Sequence, residues 1–274
     1  MIKYLRIVGC STWLLGLLQC VFIFGLSGFK TKRKLRQYLS QDLLLISLLR
    51  SCIGVSCINF LLEAQSLTQV TIALLLIPFF ATLIDLYHHK HTWNLSQLQG
   101  IGLSFACIGC IIIGQLSENN REFYSYLTLI LTMIIPLSFA IEAQILKKIH
   151  LPEYEVIHAQ NGLGLIFLTL AYATYLYTHS ITSPITIWWP TVLGVMILSS
   201  SLSFVACFFF IKLNHMTDTY ISTQVNLCIV LLSIVYDAIL YNHPIRFIYL
   251  LAVIFGATAY YALQQWHTEY PASN

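Results

Sequence analysis

The sequence predicts an all-α polytopic membrane protein with about nine transmembrane helices. Three observations carry this expectation. Of 274 residues, 58% are hydrophobic and only 9% charged, with a mean hydropathy of +0.76; a soluble domain carries roughly 25% charged residues. Nine apolar runs are long enough to cross a hydrocarbon core of about 30 Å, which takes about 20 helical residues. The runs are continuous, not alternating, which favours helices, whose backbones satisfy themselves, over a barrel.

The first run, Ile7–Gly28, is too long for a signal-peptide core, and its basic cluster follows it. The second, Leu43–Leu62, carries Arg50 within its apolar sequence, and a polar break at Glu63–Thr68 ends it. Thr68–Tyr87 holds Pro78. Leu98–Leu116 contains glycines suited to close packing, and Phe123–Ile145 holds Pro136. Val156–Tyr177, Trp188–Ile211, Thr219–Tyr241 and Ile245–Leu263 complete the set. Tyr175, Tyr177, Trp188, Trp189 and Trp266 fall at run ends, as an interfacial aromatic belt does. Connections are short, so consecutive helices should be antiparallel neighbours.

Positive charge sets the expected orientation. Lys30, Lys32, Arg33, Lys34 and Arg36 share one side with Lys90, Lys147, Lys148 and Lys212, nine in all. The other side holds four: Lys3, Arg6, Arg121 and Arg246. The cluster and the C-terminus are therefore expected in the cytoplasm, in a multi-pass protein of a bacterial inner (plasma) membrane. Anionic lipid accounts for the net charge of +3, and no nucleic-acid partner is expected.

All eight cysteines lie in apolar runs, including Cys107 and Cys110 in a CxxC spacing. They read as small packing residues before redox or metal ligands. His88, His89 and His91 could bind a metal, but the default is a solvated loop. No P-loop or nucleophile motif is present. Neither enzymatic activity nor a cofactor is expected.

The helix pairs in Thr68–Leu116 and Thr219–Leu263 suggest a duplication at an offset near 148 residues. Phe60 then matches Phe208, Thr71 matches Thr219 and Leu83 matches Leu231. An odd number of helices per copy inverts the second copy, which is a transporter signature.

Arg50, Ser51 and Gly54, then Phe60 and Ala64, then Pro78 and Phe79, then Gln97, Gly100, Gly109 and Gly114 form a series of motifs. In these the chain resembles the drug/metabolite transporter (DMT) superfamily, EamA-type, whose fold is two inverted repeats in ten helices. Its usual first helix has no counterpart here, and Arg6 resembles the arginine that opens its second. The resemblance implies repeats at 1–118 and 119–274. It further implies a secondary transporter or exchanger of a small polar metabolite, working by alternating access with its cavity between the repeats. The runner-up is a transport-inactive or accessory membrane protein on the same scaffold, and a membrane-bound metalloenzyme comes third. Expected partners are a small-molecule metabolite and membrane lipid, with a homodimer as an option.

Candidate substrate-binding residues are Arg50, Asn59, Pro78, Gln224 and Asn226. Arg50 lies about seven residues into its helix, roughly 10 Å along the axis. It is either a cationic anchor for an anionic or zwitterionic substrate or an arginine snorkelling to lipid phosphate. Asn59 shares a polar stripe with Ser56 and Glu63. Pro78 removes a helix hydrogen bond and can shape a cavity, and the repeat places Asn226 opposite it. Asp85 and Asp237 are candidates for proton coupling, or else interfacial residues. Gln144, Gln160, Asn161, Gln224 and Asn226 are uncharged polar groups in or beside apolar runs that want partners when buried.

Overall fold

The computed structural model describes residues 12–29, 31, 40–50, 67–89, 94–118, 122–178, 189–215, 230–235, 238–239 and 246–269. Every regular element among them is helical. The helices are α1 (Thr12–Gly28), α2 (Gln41–Ser47), α3 (Leu67–Ala73), α4 (Ile77–His89), α5 (Leu95–Glu118), α6 (Glu122–Leu146), α7 (Glu153–Thr178), α8 (Trp189–His215) and α9 (Phe247–Glu269). Each falls on one of the expected apolar runs. Among the described residues, four stretches are long and apolar enough to cross a membrane: Val70–Tyr87, Leu95–Gly114, Thr128–Leu146 and Glu153–Thr174. Gly16–Gly28, Met196–Lys212 and Phe247–Leu263 are shorter apolar helices.

Local sequence explains the helix starts. Ser40 caps α2, its Oγ accepting from the Leu43 N–H at 3.3 Å. Asn94 caps α5, and Gln97 reaches back to accept from the Asn94 N–H at 3.0 Å, a capping-box arrangement. Glu153 and Glu155 in the first turn of α7 suit the positive end of its dipole. Pro136 sits inside α6 without interrupting it. Pro78 is different. The three residues before α4, Leu74–Leu76, tighten into a 3₁₀ turn, and the Ile77 N–H donates to the Leu74 carbonyl. Pro78 has no N–H to offer that carbonyl, and its ring crowds it, so the tighter bond takes over. The expected helix distortion is therefore present as a change of winding between α3 and α4.

The chain divides into two compact units. The first comprises Met1–Glu63 and Ile145–Thr217, the second Ala64–Gln144 and Asp218–Asn274. In the first, α7 packs against α1, α2 and α8, and α1 also packs against α8. Residues 155–164 of α7 are buried on every side. The outward faces are apolar: Ile166 and Leu170 on α7, and Leu193, Leu198, Leu202 and Phe209 on α8, are exposed. Polar residues are inside instead, with His158, Gln160 and Asn161 buried on α7. Oily outside and polar inside is the arrangement lipid favours, because apolar burial drives no helix association there.

The second unit is built on α5 against α9. Its core joins Ile72, Leu75 and Leu76 with Cys107, Cys110 and Ile111 of α5, Val230 and Ile234, and Tyr249, Ala252 and Val253 of α9. Glycines set the approach of α5 and α9. A Cβ on Gly100 would lie 2.6 Å from Leu263, and one on Gly114 would lie 2.5 Å from the Tyr249 ring. One on Gly256 would lie 3.3 Å from the Cys107 Sγ and 3.0 Å from Leu75. Residues 100, 107 and 114 thus face 263, 256 and 249 in an antiparallel, seven-residue register. Each large side chain enters a gap left by a small one. The seven-residue period matches the geometry of two helices crossing at a shallow angle.

Candidate functional site

The first unit contains a seam of polar side chains at the meeting of α1, α7, α8 and the residues after α2. At one end is Arg50, half-buried, in a stretch at 48–50 where the helix widens to π-type winding. Such widened turns are frequent at functional sites. Its guanidinium donates to the Sγ of Cys207 on α8 at 2.6 Å. Cys20 on α1 is within electrostatic reach of both Arg50 and Cys207. Beside it, Gln19 Nε2 donates to Ser203 Oγ on α8 at 2.5 Å.

The seam continues along α1 and α7. Cys20 Sγ donates to Asn161 Oδ1 at 3.3 Å, and Asn161 Nδ2 donates to the Ile157 carbonyl at 2.8 Å. At the far end, Ser27 Oγ and His158 Nδ1 are 3.1 Å apart, and the His158 ring stacks on Phe24 with centroids 4.1 Å apart. The His158 ring also lies against Gly28, where an added Cβ would meet it at an ordinary contact distance of 3.4 Å. Cys20 to Ser27 is seven residues, about 10 Å along the helix. On α8, Ser200, Ser203 and Cys207 recur at helical spacing on the face that also buries Met196 and Ile211. Ser200 is fully buried, and its Oγ has no hydrogen-bond partner among the described residues.

The spacing of Gln19, Cys20, Phe24 and Ser27 places them on one stripe of α1, and that regularity was available from the sequence. What hid the seam was residue type. Cysteine and serine in an apolar helix read as packing residues, and here Cys20 and Cys207 are members of the polar set. The other two described thiols follow the packing expectation: Cys107 and Cys110 are buried and free in the core of the second unit.

Of the candidate substrate-binding and proton-coupling residues, Arg50, Pro78 and Asp85 are described. Asn59, Gln224, Asn226 and Asp237 lie outside the described residues, as do Gly54 and Cys57 and the side chains of His88–His91. Among the described residues, no group of three His, Cys, Asp or Glu is placed to hold a metal. Arg50 joins the seam. Pro78 and Asp85 belong to the second unit, where Gln144 Nε2 donates to Asp85 Oδ1 at 2.8 Å, tying α6 to α4. Thr71 and Ser233, both buried, share a hydrogen bond of 2.5 Å between α3 and 230–235. Glu142, on the buried side of α6, is only 1% exposed.

The Asp85–Gln144 link gives a direct prediction. Gln144→Ala is expected to lower thermal stability by about 1–3 kcal/mol, the cost of taking a donor from a partly buried carboxylate. Asp85→Asn with Gln144 intact should cost less, since an amide oxygen still accepts. Differential scanning fluorimetry in detergent on both variants reads the difference.

A scan against protein-family models finds no match, and a search of curated proteins finds none either. Among solved structures, one crystal structure of a protein aligns with 99% of this chain and 95% of its own, with a TM-score of 0.54 and 11% identity. At that identity the likeness shows the fold alone.

Proposed function

We propose that this chain is a secondary transporter or exchanger of a small polar metabolite, built on two inverted repeats of the drug/metabolite transporter type, at 1–118 and 119–274. One observation carries the reading: the packing of α5 against α9 is self-complementary. At an offset of 149 residues, one from that inferred by sequence, Gly100 corresponds to Tyr249, Cys107 to Gly256 and Gly114 to Leu263. Gly100 touches the counterpart of Gly114, Gly114 touches the counterpart of Gly100, and Cys107 touches its own counterpart. Any antiparallel helix pair has such reciprocal contacts at some offset; what supports the repeat is that this offset lies one residue from the 148 expected from the sequence and that the two stretches run antiparallel, as inverted copies about an axis in the membrane plane would.

Other spacings agree. α2 opens at Gln41 and α8 at Trp189, 148 residues apart. α1 shifted by that offset falls within α7, and these two helices also pack together. Four side-chain links of the seam, Gln19–Ser203, Cys20–Asn161, Ser27–His158 and Arg50–Cys207, each join the first proposed repeat to the second. A substrate bound at the seam would touch both repeats, which is what alternating access requires of its binding site.

On this reading Arg50 anchors the substrate, and the changed winding before Pro78 is a place where a helix can bend. The test is counterflow. Purified protein in liposomes loaded with a mixed metabolite pool should accumulate a labelled metabolite from that pool far faster than empty liposomes do. Absence of exchange for every pool member, with folded and correctly inserted protein, would favour a transport-inactive protein on the same scaffold.

A further inference from the structure

We infer that His158 couples a proton to transport, its Nε2 taking up the proton beside Glu155; the deduction rests on the transporter reading above. Both side chains are buried, His158 at 8% and Glu155 at 6% exposure. They are three residues apart on α7, which makes them neighbours on one helix face, and Glu155 acts electrostatically on the imidazole. The pair lies within the membrane-length stretch Glu153–Thr174. Ionisable groups are costly there, and proton relays are among the few uses that retain them.

The hydrogen bonds fix which nitrogen titrates. His158 Nδ1 lies 3.3 Å from the Phe24 carbonyl and 3.1 Å from Ser27 Oγ. A carbonyl can only accept, so Nδ1 carries a hydrogen. Ser27 Oγ donates its own hydrogen to the same carbonyl at 3.0 Å, and so meets Nδ1–H as an acceptor. The neutral ring is therefore the Nδ1–H tautomer, and the further proton binds at Nε2. A carboxylate within reach favours the charged ring. The helices packed on α7 are α1, α2 and α8. Their titratable side chains among the described residues are Cys20 on α1, Asp42 on α2, and Cys207 and Lys212 on α8, and Arg50 follows α2. Asp42 and Lys212 are exposed, and of all these groups together with Glu153 and Tyr154 on α7, Glu155 is the one that acts on His158.

The proton has a structural consequence. The Nδ1–H bonds cross from α7 to α1, and so from the second proposed repeat to the first. Once the ring is charged they become charge-assisted, roughly twice as strong as neutral ones. The Phe24 ring, stacked on the imidazole with centroids 4.1 Å apart, also holds a cation better than a neutral ring. Protonation at Nε2 thus tightens the α1–α7 contact, and loss of the proton loosens it. One turn along α7, Asn161 Oδ1 accepts from Cys20, so this contact is continuous with the Arg50 end of the seam. A proton that favours one of two states shifts the balance between them, as coupling to alternating access requires.

The test is uptake of each labelled pool member that exchanges in counterflow, into liposomes carrying a gradient of one pH unit with the voltage clamped at zero. For the full chain, steady-state accumulation should differ about tenfold from that in the same liposomes without the gradient, the equivalent of one proton across one pH unit. His158→Gln should bring that ratio to one. Glu155→Gln should move the midpoint of the pH–rate profile to lower pH, and it serves if the His158 variant does not fold. Nitrogen NMR of protein with isotope-labelled histidine reads the tautomer without transport, and a neutral His158 with its hydrogen on Nδ1 is expected. Counterflow that ignores the pH gradient overturns the inference and leaves the transporter reading intact. So does a ratio kept by His158→Gln and lost in Asp85→Asn or Asp237→Asn, or a neutral His158 with its hydrogen on Nε2. No exchange of any pool member by folded, inserted protein overturns both.

Discussion

Gly114→Leu is expected to abolish accumulation of folded protein, while Gly102→Leu on the same helix is expected to be tolerated. A Cβ on Gly114 would sit 2.5 Å from Cε1 and 2.9 Å from Cζ of Tyr249, whereas Gly102 has no atom within 4 Å of its Cβ position. The two substitutions add the same side chain to α5 at the same loss of glycine flexibility, so helix propensity cancels between them. What differs is the neighbour. Overpacking typically costs about 1–3 kcal/mol, more where the backbones cannot part. Here α5 and α9 are held in register by two further contacts, at Gly100 and at Cys107–Gly256, so separation at one site strains the others. The compensating variant Gly114→Leu with Tyr249→Ala restores the pairing of large with small and is expected to recover most of the folded yield. Fluorescence-detected size-exclusion chromatography on the three variants measures this. Equal behaviour of Gly114→Leu and Gly102→Leu would mean that α5 and α9 do not meet in this register. The contact argument for the repeat would then lose its basis.

The same interface shows how much could be read in advance. Composition and run length gave the membrane class and the position of each described helix, because about 20 apolar residues in a row have few other uses. Gly100 and Gly114 were visible as packing glycines, but their partners were not, since one sequence does not say which helix fills a glycine gap. For the proposed repeat, the offset of 149 taken from the α5–α9 contact differs by one from the 148 expected, because hydropathy fixes the centre of a span and not its register. For the candidate site, Arg50 was legible because a charge in an apolar run is conspicuous. Gln19, Ser200, Ser203 and the thiols of Cys20 and Cys207 were not. Their side chains are small or moderately polar, and only the approach of α1, α7 and α8 reveals that they lie together.

Arg50→Ala is expected to reduce exchange per folded molecule by a factor of about 100 or more. Truncating one member of a desolvated, hydrogen-bonded charge pair costs about 2–5 kcal/mol of binding, and about 3 kcal/mol corresponds to a factor of roughly 100–200. The melting temperature reads a different quantity, the part that Arg50 plays in the fold, where its half-buried guanidinium donates to the Cys207 thiol among its contacts. The snorkelling reading predicts the reverse pattern. An arginine whose role is to reach lipid phosphate anchors the helix end, so its loss would lower the yield of inserted protein and leave exchange per folded molecule unchanged. Measuring exchange and melting temperature on the same preparation separates the two. A variant with normal exchange per folded molecule would remove Arg50 from the binding site.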